Sequence, residues 1–421
     1  MASLRPARIL IVDDSAVMRA LLRSVVSTDQ RLEVAGVASD GASALRVIDA
    51  VRPDLILLDV EMPVMDGLST LKQMKALGKY VPVIMCSTLT QRGAKVTIDA
   101  LASGAADYVA KPSGQPSRDA AVQALALDLV PKILALTANA TGDTVLAHAD
   151  AFASSSARGP FLTHPRTEAP SIVFGNAPVS PSQSSRTLPG IPPVVLQQQP
   201  VGSSPPAVVL IGVSTGGPAA LDVLLPELPA TFPLPVLIVQ HMPELFTKLL
   251  AERLNGRCPL RVTEATPGEP IHPGSIYIAR GGWHMEVFSP IREFDRNSTR
   301  SAVLHSTPVL RLTQEPPENH CRPAVDVLFR SAVAVYGSGT LGVMLTGMGY
   351  DGLAGCRLIR EHGGSVIAQD QSTSAVWGMP GAVTEAGLAH RVLPLNAIAP
   401  EILRLAGRGQ REVFAPRESA V

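Results

Sequence analysis

Three residues of this chain have types and settings suited to acyl transfer. Ser214 lies in Gly212-Val213-Ser214-Thr215-Gly216-Gly217-Pro218, between the apolar run Val208–Ile211 and an apolar-periodic stretch from Ala219 to Leu225. A serine on a Gly-flanked strand-to-helix turn is held out of the sheet near a helix N-terminus, where a nucleophile is useful. His241 follows the apolar run Val236–Gln240, and Asp351 follows Leu341–Leu345 within Leu345-Thr346-Gly347-Met348-Gly349-Tyr350-Asp351-Gly352. A hydroxyl attacks at neutral pH only with a base within hydrogen-bond reach, and that base needs a carboxylate on its other nitrogen. The backbone N–H groups of Thr215 and of Gly347-Met348-Gly349 are candidates for an oxyanion hole, each such donor being worth about 3 kcal/mol to a transition state. Taken singly, each residue has a plainer role: Ser214 and Asp351 as helix caps, His241 as a core or capping histidine. His284, exposed by the turn Gly281-Gly282-Trp283, is a rival base. The order Ser…His…Asp differs from the Ser…Asp/Glu…His order of α/β-hydrolases, so that fold does not follow from the turn alone.

A second constellation lies upstream. Asp13 and Asp14 end one apolar run, Asp59 another, Ser87 and Thr88 a third, and Lys111-Pro112 a fourth. Clustered carboxylates suit a hard divalent cation such as Mg²⁺, which keeps waters for a phosphate. With Lys111 screening an incoming phosphoryl group, one carboxylate could accept it. Capping of the first helix by the aspartates, a loop-closing Asp59 and a solvated lysine would explain each residue alone, but not all of them at successive strand ends.

These residues need sheets that bring strand ends together. Before residue 138 the pattern predicts strands Arg8–Val12, Leu32–Ala38, Leu55–Leu58, Val83–Cys86 and Tyr108–Ala110. Helical patterns alternate with them over Ala16–Ser27, Ala42–Val51, Leu68–Leu77, Gly93–Leu101 and Ala120–Leu136. Five βα units make a doubly wound parallel sheet with its chemistry at the C-terminal strand ends. Alternation resumes after residue 206 with strands Val208–Ile211, Val236–Gln240, Ser275–Ala279, Leu341–Leu345 and Val366–Gln369. Helices are predicted near Ala219–Leu225, Glu244–Leu254, Val325–Tyr336 and Leu353–His362, while residues 289–320 have no clear pattern. Between the two, residues 138–206 are rich in Pro and Ser, poor in charge and without apolar period, which predicts a flexible linker.

At 421 residues two or three domains are expected. Lys+Arg and Asp+Glu balance at 36 each, which disfavours a polyanion-binding surface and hence nucleic acid. Cys86, Cys258, Cys321 and Cys356 form no CxxC pair, so a reduced, cytoplasmic protein without disulfides or a zinc site is expected. The N-terminus lacks a signal-peptide apolar core, and no apolar run reaches the ~18 residues of a membrane span, so no membrane insertion is expected.

The upstream motifs, Asp13-Asp14-Ser15, Asp59-Val60-Glu61-Met62-Pro63-Val64-Met65-Asp66-Gly67 and Lys111-Pro112, resemble the receiver domain of two-component response regulators. The resemblance implies a flavodoxin-like fold over residues 1–137, with Asp59 as phosphoacceptor and Asp13 and Asp14 organising Mg²⁺. It further implies that Lys111 contacts the phosphate, that the Ser87 hydroxyl reorients toward it, and that Tyr108 is the switch aromatic. Downstream, Ile211–Pro218, Gln240-His241-Met242-Pro243, Arg322-Pro323-Ala324-Val325-Asp326-Val327-Leu328-Phe329, Leu345–Gly352 and Gly378-Met379-Pro380-Gly381 resemble the catalytic domain of the chemotaxis protein-glutamate methylesterases, the CheB family. That implies a Rossmann-like α/β domain over residues 207–408 and a C-terminal tail at 409–421. Ser214 would be nucleophile, His241 general base, Asp351 its orienter and the Met348 N–H an oxyanion donor, with no cofactor in this domain.

The layout implies hydrolysis of glutamate γ-methyl esters on chemoreceptor cytoplasmic domains and deamidation of some receptor glutamines. A chemotaxis histidine kinase would be the phosphodonor, the protein would be a monomer, and the unphosphorylated receiver would cover the Ser214 cleft. The long linker and residues 289–307, which look inserted, depart from the family pattern. A phospho-regulated, non-catalytic binding module and a transcriptional response regulator are the rival readings. The intact Ser/His/Asp set speaks against the first, and the balanced charge against the second.

Overall fold

The computed structural model describes residues 5–88, 90–141, 204–289 and 307–413. The interior of the linker, the segment at 290–306 and the end of the tail lie outside these residues.

Continuous apolar runs in the first unit form strands β1 (Ala7–Val12), β2 (Leu32–Ala38), β3 (Leu55–Asp59), β4 (Val83–Ser87) and β5 (Asp107–Ala110). They pair in parallel in the order β2-β1-β3-β4-β5. Buried on both faces, such strands need no alternation. Ile9, Ile11, Leu57 and Ile84 face helices α1 (Ala16–Val26) and α5 (Arg118–Thr141) in one cluster. Leu10, Val12, Leu58 and Met85 face the opposite layer, with α2 (Gly41–Val51), α3 (Gly67–Ala76) and α4 (Gln91–Ala102).

Helix α5 is the one described helix long and apolar enough to cross a membrane by length and composition, contrary to the expectation from uninterrupted runs. Its Leu125, Leu129 and Ile133 are buried in the core of the first unit, and Asp128 and Lys132 interrupt it.

The second unit is a seven-stranded parallel sheet in the order β14-β13-β12-β6-β7-β9-β8. Its strands are β6 (Val208–Val213), β7 (Val236–Gln240), β8 (Arg261–Glu264), β9 (Ser275–Ile278), β12 (Thr340–Met344), β13 (Ser365–Gln369) and β14 (Arg391–Leu393). Strand β10 (His284–Phe288) pairs antiparallel with β11 (Val309–Thr313), which lies within the stretch that lacked a sequence pattern. Helices α6 (Gly217–Leu224), α7 (Glu244–Asn255), α8 (Val325–Tyr336), α9 (Leu353–Glu361), α10 (Met379–Glu385) and α11 (Leu395–Val413) cover the sheet. Helix α5 continues to Thr141 and α11 to Val413, beyond residues 137 and 408 where the sequence pattern fades.

The two units share one apolar cluster. Receiver residues such as Ile98, Leu101 and Tyr108 join it to Leu221, Phe246 and Leu250 of α6 and α7. The Tyr108 ring stacks on Phe246 with centroids 4.4 Å apart, and Arg253 donates to Asp99 of α4 at 2.6 Å. A stacked aromatic pair contributes about 0.5–1.5 kcal/mol beyond its buried area.

Candidate active site

Register decides what meets at the sheet edge. Val213 of β6 is opposite Gln240 of β7, and Gly212 is opposite Met344 of β12, so Ser214 and His241 emerge side by side. The Ser214 N–H donates to the Thr346 carbonyl at 3.0 Å, which fixes the Ser214 turn between those two strands. Gly216 then takes φ +79°, a conformation costly for any residue with a Cβ, and a side chain there would strike Ala375 at 2.6 Å. Gln240 donates from Nε2 to the Ser214 carbonyl at 3.1 Å and braces the turn from beneath.

His241 Nε2 lies 2.8 Å from Asp351 Oδ2. Asp351, 3% exposed, accepts from the Val325 N–H at 2.7 Å on the same oxygen. Its Oδ1 accepts from Asn319 Nδ2 at 2.8 Å and from the Asp326 N–H at 3.2 Å. Burial alone would raise this carboxyl, but His241 and these donors hold it below the ordinary carboxylate range. Burial favours the neutral ring in His241, yet the Asp351 and Cys321 contacts outweigh it and lift its pKa to about 10. His241 Nδ1 faces Cys321 Sγ at 3.6 Å.

Among the described residues the Ser214 hydroxyl has no hydrogen-bond partner, and the Thr215 and Met348 amides have none either. The structure therefore brings Ser214, His241, Asp351, Thr215 and Met348 to one edge but leaves the serine unpaired with its base. The rival His284 is buried in β10, with Nδ1 accepting from the Ala324 N–H at 3.3 Å and Nε2 3.1 Å from the Pro316 carbonyl. Both of its nitrogens are engaged in the wall. His241, Cys321 and Asp351 also lie close enough to share a cation. Asp351 has already given two acceptor positions on each oxygen to protein donors, which leaves little for a metal.

The Ser214 turn faces the first unit. Thr215 Oγ1 donates to Asp107 Oδ2 at 2.5 Å, and the Gly216 N–H donates to the Ala106 carbonyl at 2.9 Å. Lys132, pulled down by burial but held up by Asp107 and Asp128, donates to the Tyr108 carbonyl at 2.8 Å. Between the units is a cavity of about 1430 Å³ lined by Tyr108, Lys132, Ser214, Thr215, His241 and Tyr350.

At the receiver's own edge, Lys111 Nζ lies 2.8 Å from Asp13 Oδ2 and 2.7 Å from Asp59 Oδ2. Both are close ion pairs, and Lys111 is the one partner of the buried Asp13 Oδ2 among the described residues. Asp13, Asp14 and Asp59 bring oxygens within 4.8 Å of one another, with Asp14 open to solvent. Three carboxylates at that spacing, two of them buried, are a donor set that fits a hard divalent cation. Burial raises the Asp59 carboxyl to about 6, with Asp13 adding to the shift and Lys111 opposing it. Ser87 is buried beside this cluster, its hydroxyl donating to the Thr88 carbonyl at 3.1 Å. Tyr108, buried, faces the second unit rather than solvent.

Residues 209–402 match the family described as CheB methylesterase, and residues 9–123 match the response regulator receiver domain. The chain is 44% identical over 412 residues to a protein-glutamate methylesterase/protein-glutamine glutaminase of Nocardioides sp., covering 97% of this chain and 98% of that one. The chain belongs to that family. A second member, from Trichodesmium erythraeum, is 43% identical over 400 residues, covering 95% and 99% of the two chains. The crystal structure of the Thermotoga maritima CheB methylesterase catalytic domain is 40% identical, covers 48% of this chain and 98% of its own, and has a TM-score of 0.44.

Family motifs carried Ser214, His241 and Asp351. No sequence pattern pointed to the contacts of Gln240, Asn319 and Cys321. Gln240 stands beside His241 in a quoted motif, but nothing in its type reports a bond to the nucleophile's carbonyl. Asn319 comes from the patternless stretch, and Cys321 follows directly after it.

Proposed function

We propose that this chain is a phosphorylation-activated protein-glutamate methylesterase, hydrolysing glutamate γ-methyl esters on chemoreceptors to glutamate and methanol and deamidating receptor glutamines. The observation that carries this reading is the His241–Asp351 pair at 2.8 Å beside Ser214, on a turn bonded directly to receiver strand β5.

Ser214 Oγ attacks the ester carbonyl while the Thr215 and Met348 amides receive the developing oxyanion. With Asp351 on Nε2, Nδ1 is the nitrogen open to the serine proton. His241 takes that proton and returns it to the departing methoxide, and methanol leaves. Water, deprotonated by the same ring, then attacks the acyl-serine and releases glutamate. For a glutamine side chain the leaving group is ammonia.

In the docked form the thiol of Cys321 lies against Nδ1 and the serine is unpaired. Activation therefore requires the receiver to withdraw and Ser214 to replace the thiol at the ring. Asp59 accepts the phosphoryl group from a histidine kinase, Lys111 pairs with it, and Ser87 turns from Thr88 toward it. Asp13, Asp14 and Asp59 would hold Mg²⁺, which supplies positive charge against the phosphoryl oxygens when bound. Domains, linker and tail are assigned as 1–137, 138–206, 207–408 and 409–421.

The deciding experiment incubates the full chain with radiolabelled methyl-esterified receptor membranes, with and without a small phosphodonor. Donor-stimulated methanol release is expected. Release at the wild-type rate from S214A would sink the mechanism. Failure of a serine-reactive phosphonate to label Ser214 would favour a non-catalytic module.

A further inference from the structure

Between β11 and α8 the chain makes a tight reversal. Glu318 and Cys321 exchange backbone hydrogen bonds at 3.1 and 2.9 Å, while Asn319 and His320 take φ of 53° and 62°. Two successive left-handed residues make a type I′ turn, which asparagine tolerates better than most side chains. Arg330 of α8 clamps Glu318 with hydrogen bonds of 3.0 and 2.8 Å, so the turn is pinned to the helix.

What the turn delivers is one carboxamide between two buried carboxylates. Asn319 Nδ2 donates to Asp351 Oδ1 at 2.8 Å and to Asp326 Oδ2 at 2.9 Å. Asp351 and Asp326 are each 3% exposed. The remaining Asp326 oxygen accepts from the Gly355 N–H at 2.6 Å, so Asp326 in turn ties the amide to α9. Burial, with the Asp351 charge adding to it, raises the Asp326 carboxyl.

We infer that Asn319 is a positioning residue for the esterase reaction, its two amide hydrogens separating Asp326 from Asp351 and aiming the Asp351 carboxylate at His241. The inference rests on the methylesterase reading. The residue type matters. A lysine or arginine here would neutralise Asp351 and compete with His241 for it, and an aspartate would add a third buried negative charge. A carboxamide satisfies both oxygens while leaving the charge of Asp351 to the imidazole.

The turn's need for a left-handed residue could by itself account for asparagine, and two variants separate the roles. N319G keeps the backbone conformation at little cost and removes the amide; N319D keeps the shape and the left-handed tolerance and exchanges the amide for a charge. The full chain, phosphorylated with a small phosphodonor and Mg²⁺, is assayed for methanol release from methylated receptor membranes. The low-field NMR resonance of the His241 proton bonded to Asp351 is recorded alongside, assigned by its loss in H241Q.

Both variants are expected to lose about ten- to hundredfold in kcat, the span that one hydrogen bond to a charged group corresponds to, with KM little changed. The low-field resonance should shift or vanish in N319G. Wild-type kcat and an unmoved resonance in N319G would overturn the inference, as would wild-type kcat in N319D should N319G not fold. If the wild-type chain releases no methanol, the methylesterase reading fails, yet the resonance still tests whether the amide positions the pair.

Discussion

The Thr215 hydroxyl donates to the Asp107 carboxylate at 2.5 Å, joining the residue beside Ser214 to the strand that Lys111 follows. Asp107 is 8% exposed and Thr215 5%, so water competes poorly for this bond. A hydrogen bond to a charged partner is worth about 1.5–3 kcal/mol, which corresponds to roughly ten- to hundredfold in a docking equilibrium.

D107N weakens that bond while keeping its shape. The unphosphorylated chain should gain roughly tenfold in methanol release, and the phosphodonor should stimulate it correspondingly less. Unchanged basal activity in D107N would show that this contact does not hold the docked state.

The His241–Asp351 pair makes stability depend on pH in a defined window. The folded ring titrates at about 10, above its ordinary 6.5, so its contribution is fully present below 6.5 and is lost as pH rises through 10. Asp351 is lowered, so its contribution is present above the ordinary carboxyl value and is lost on acidification. Thermal melts of wild type and H241Q from pH 5 to 10 should differ most near pH 5–6 and converge toward pH 10. A gap that widens with pH would contradict the pairing.

Cys321 helps keep His241 charged, which opposes its work as a base. C321A should move the acidic limb of the kcat/KM profile of the unphosphorylated chain, in which the thiol faces the ring, to lower pH and leave its plateau near wild type. A plateau loss of more than about tenfold would mean that the thiol takes part in the chemistry.

Asp59 titrates near 6 because burial raises it more than Lys111 lowers it. A protonated carboxyl neither ligates a hard cation nor attacks phosphorus. Mg²⁺ affinity and phosphodonor stimulation should therefore fall as pH drops through about 6, with proton release on Mg²⁺ binding measurable by calorimetry in buffers of different ionisation enthalpy. D59N should abolish the stimulation. Stimulation that is flat between pH 5 and 7 would argue against Asp59 as the acceptor.

Legibility followed burial. Strands such as β1, β3, β6 and β7, buried in parallel sheets, announced themselves as apolar runs, and Asp13, Asp59, Ser214 and His241 could be placed at their ends. The edges of the second sheet were silent: β8 reads Arg-Val-Thr-Glu and β14 is three residues long, while α11 carries Pro400 inside it. The hydrogen-bonded surroundings of the triad were equally hidden. Asn319 acts through a turn whose register depends on Arg330 and Asp326, residues made its neighbours only by the fold. The bond between Thr215 and Asp107 spans 108 positions and leaves no local pattern.

The Ala106 carbonyl on the Gly216 amide has a consequence that runs in the opposite direction to control by the receiver. A receptor segment entering the cleft must displace that carbonyl, and binding free energies are reciprocal. Whatever favours substrate in the cleft therefore also favours the undocked receiver, and with it the phosphorylated form. Methylated receptor should act as an effector of the receiver as well as a substrate, raising the steady-state phosphorylation of Asp59 even in S214A, where no turnover occurs. Abundant methylation would then recruit its own eraser before any change in kinase activity reaches it.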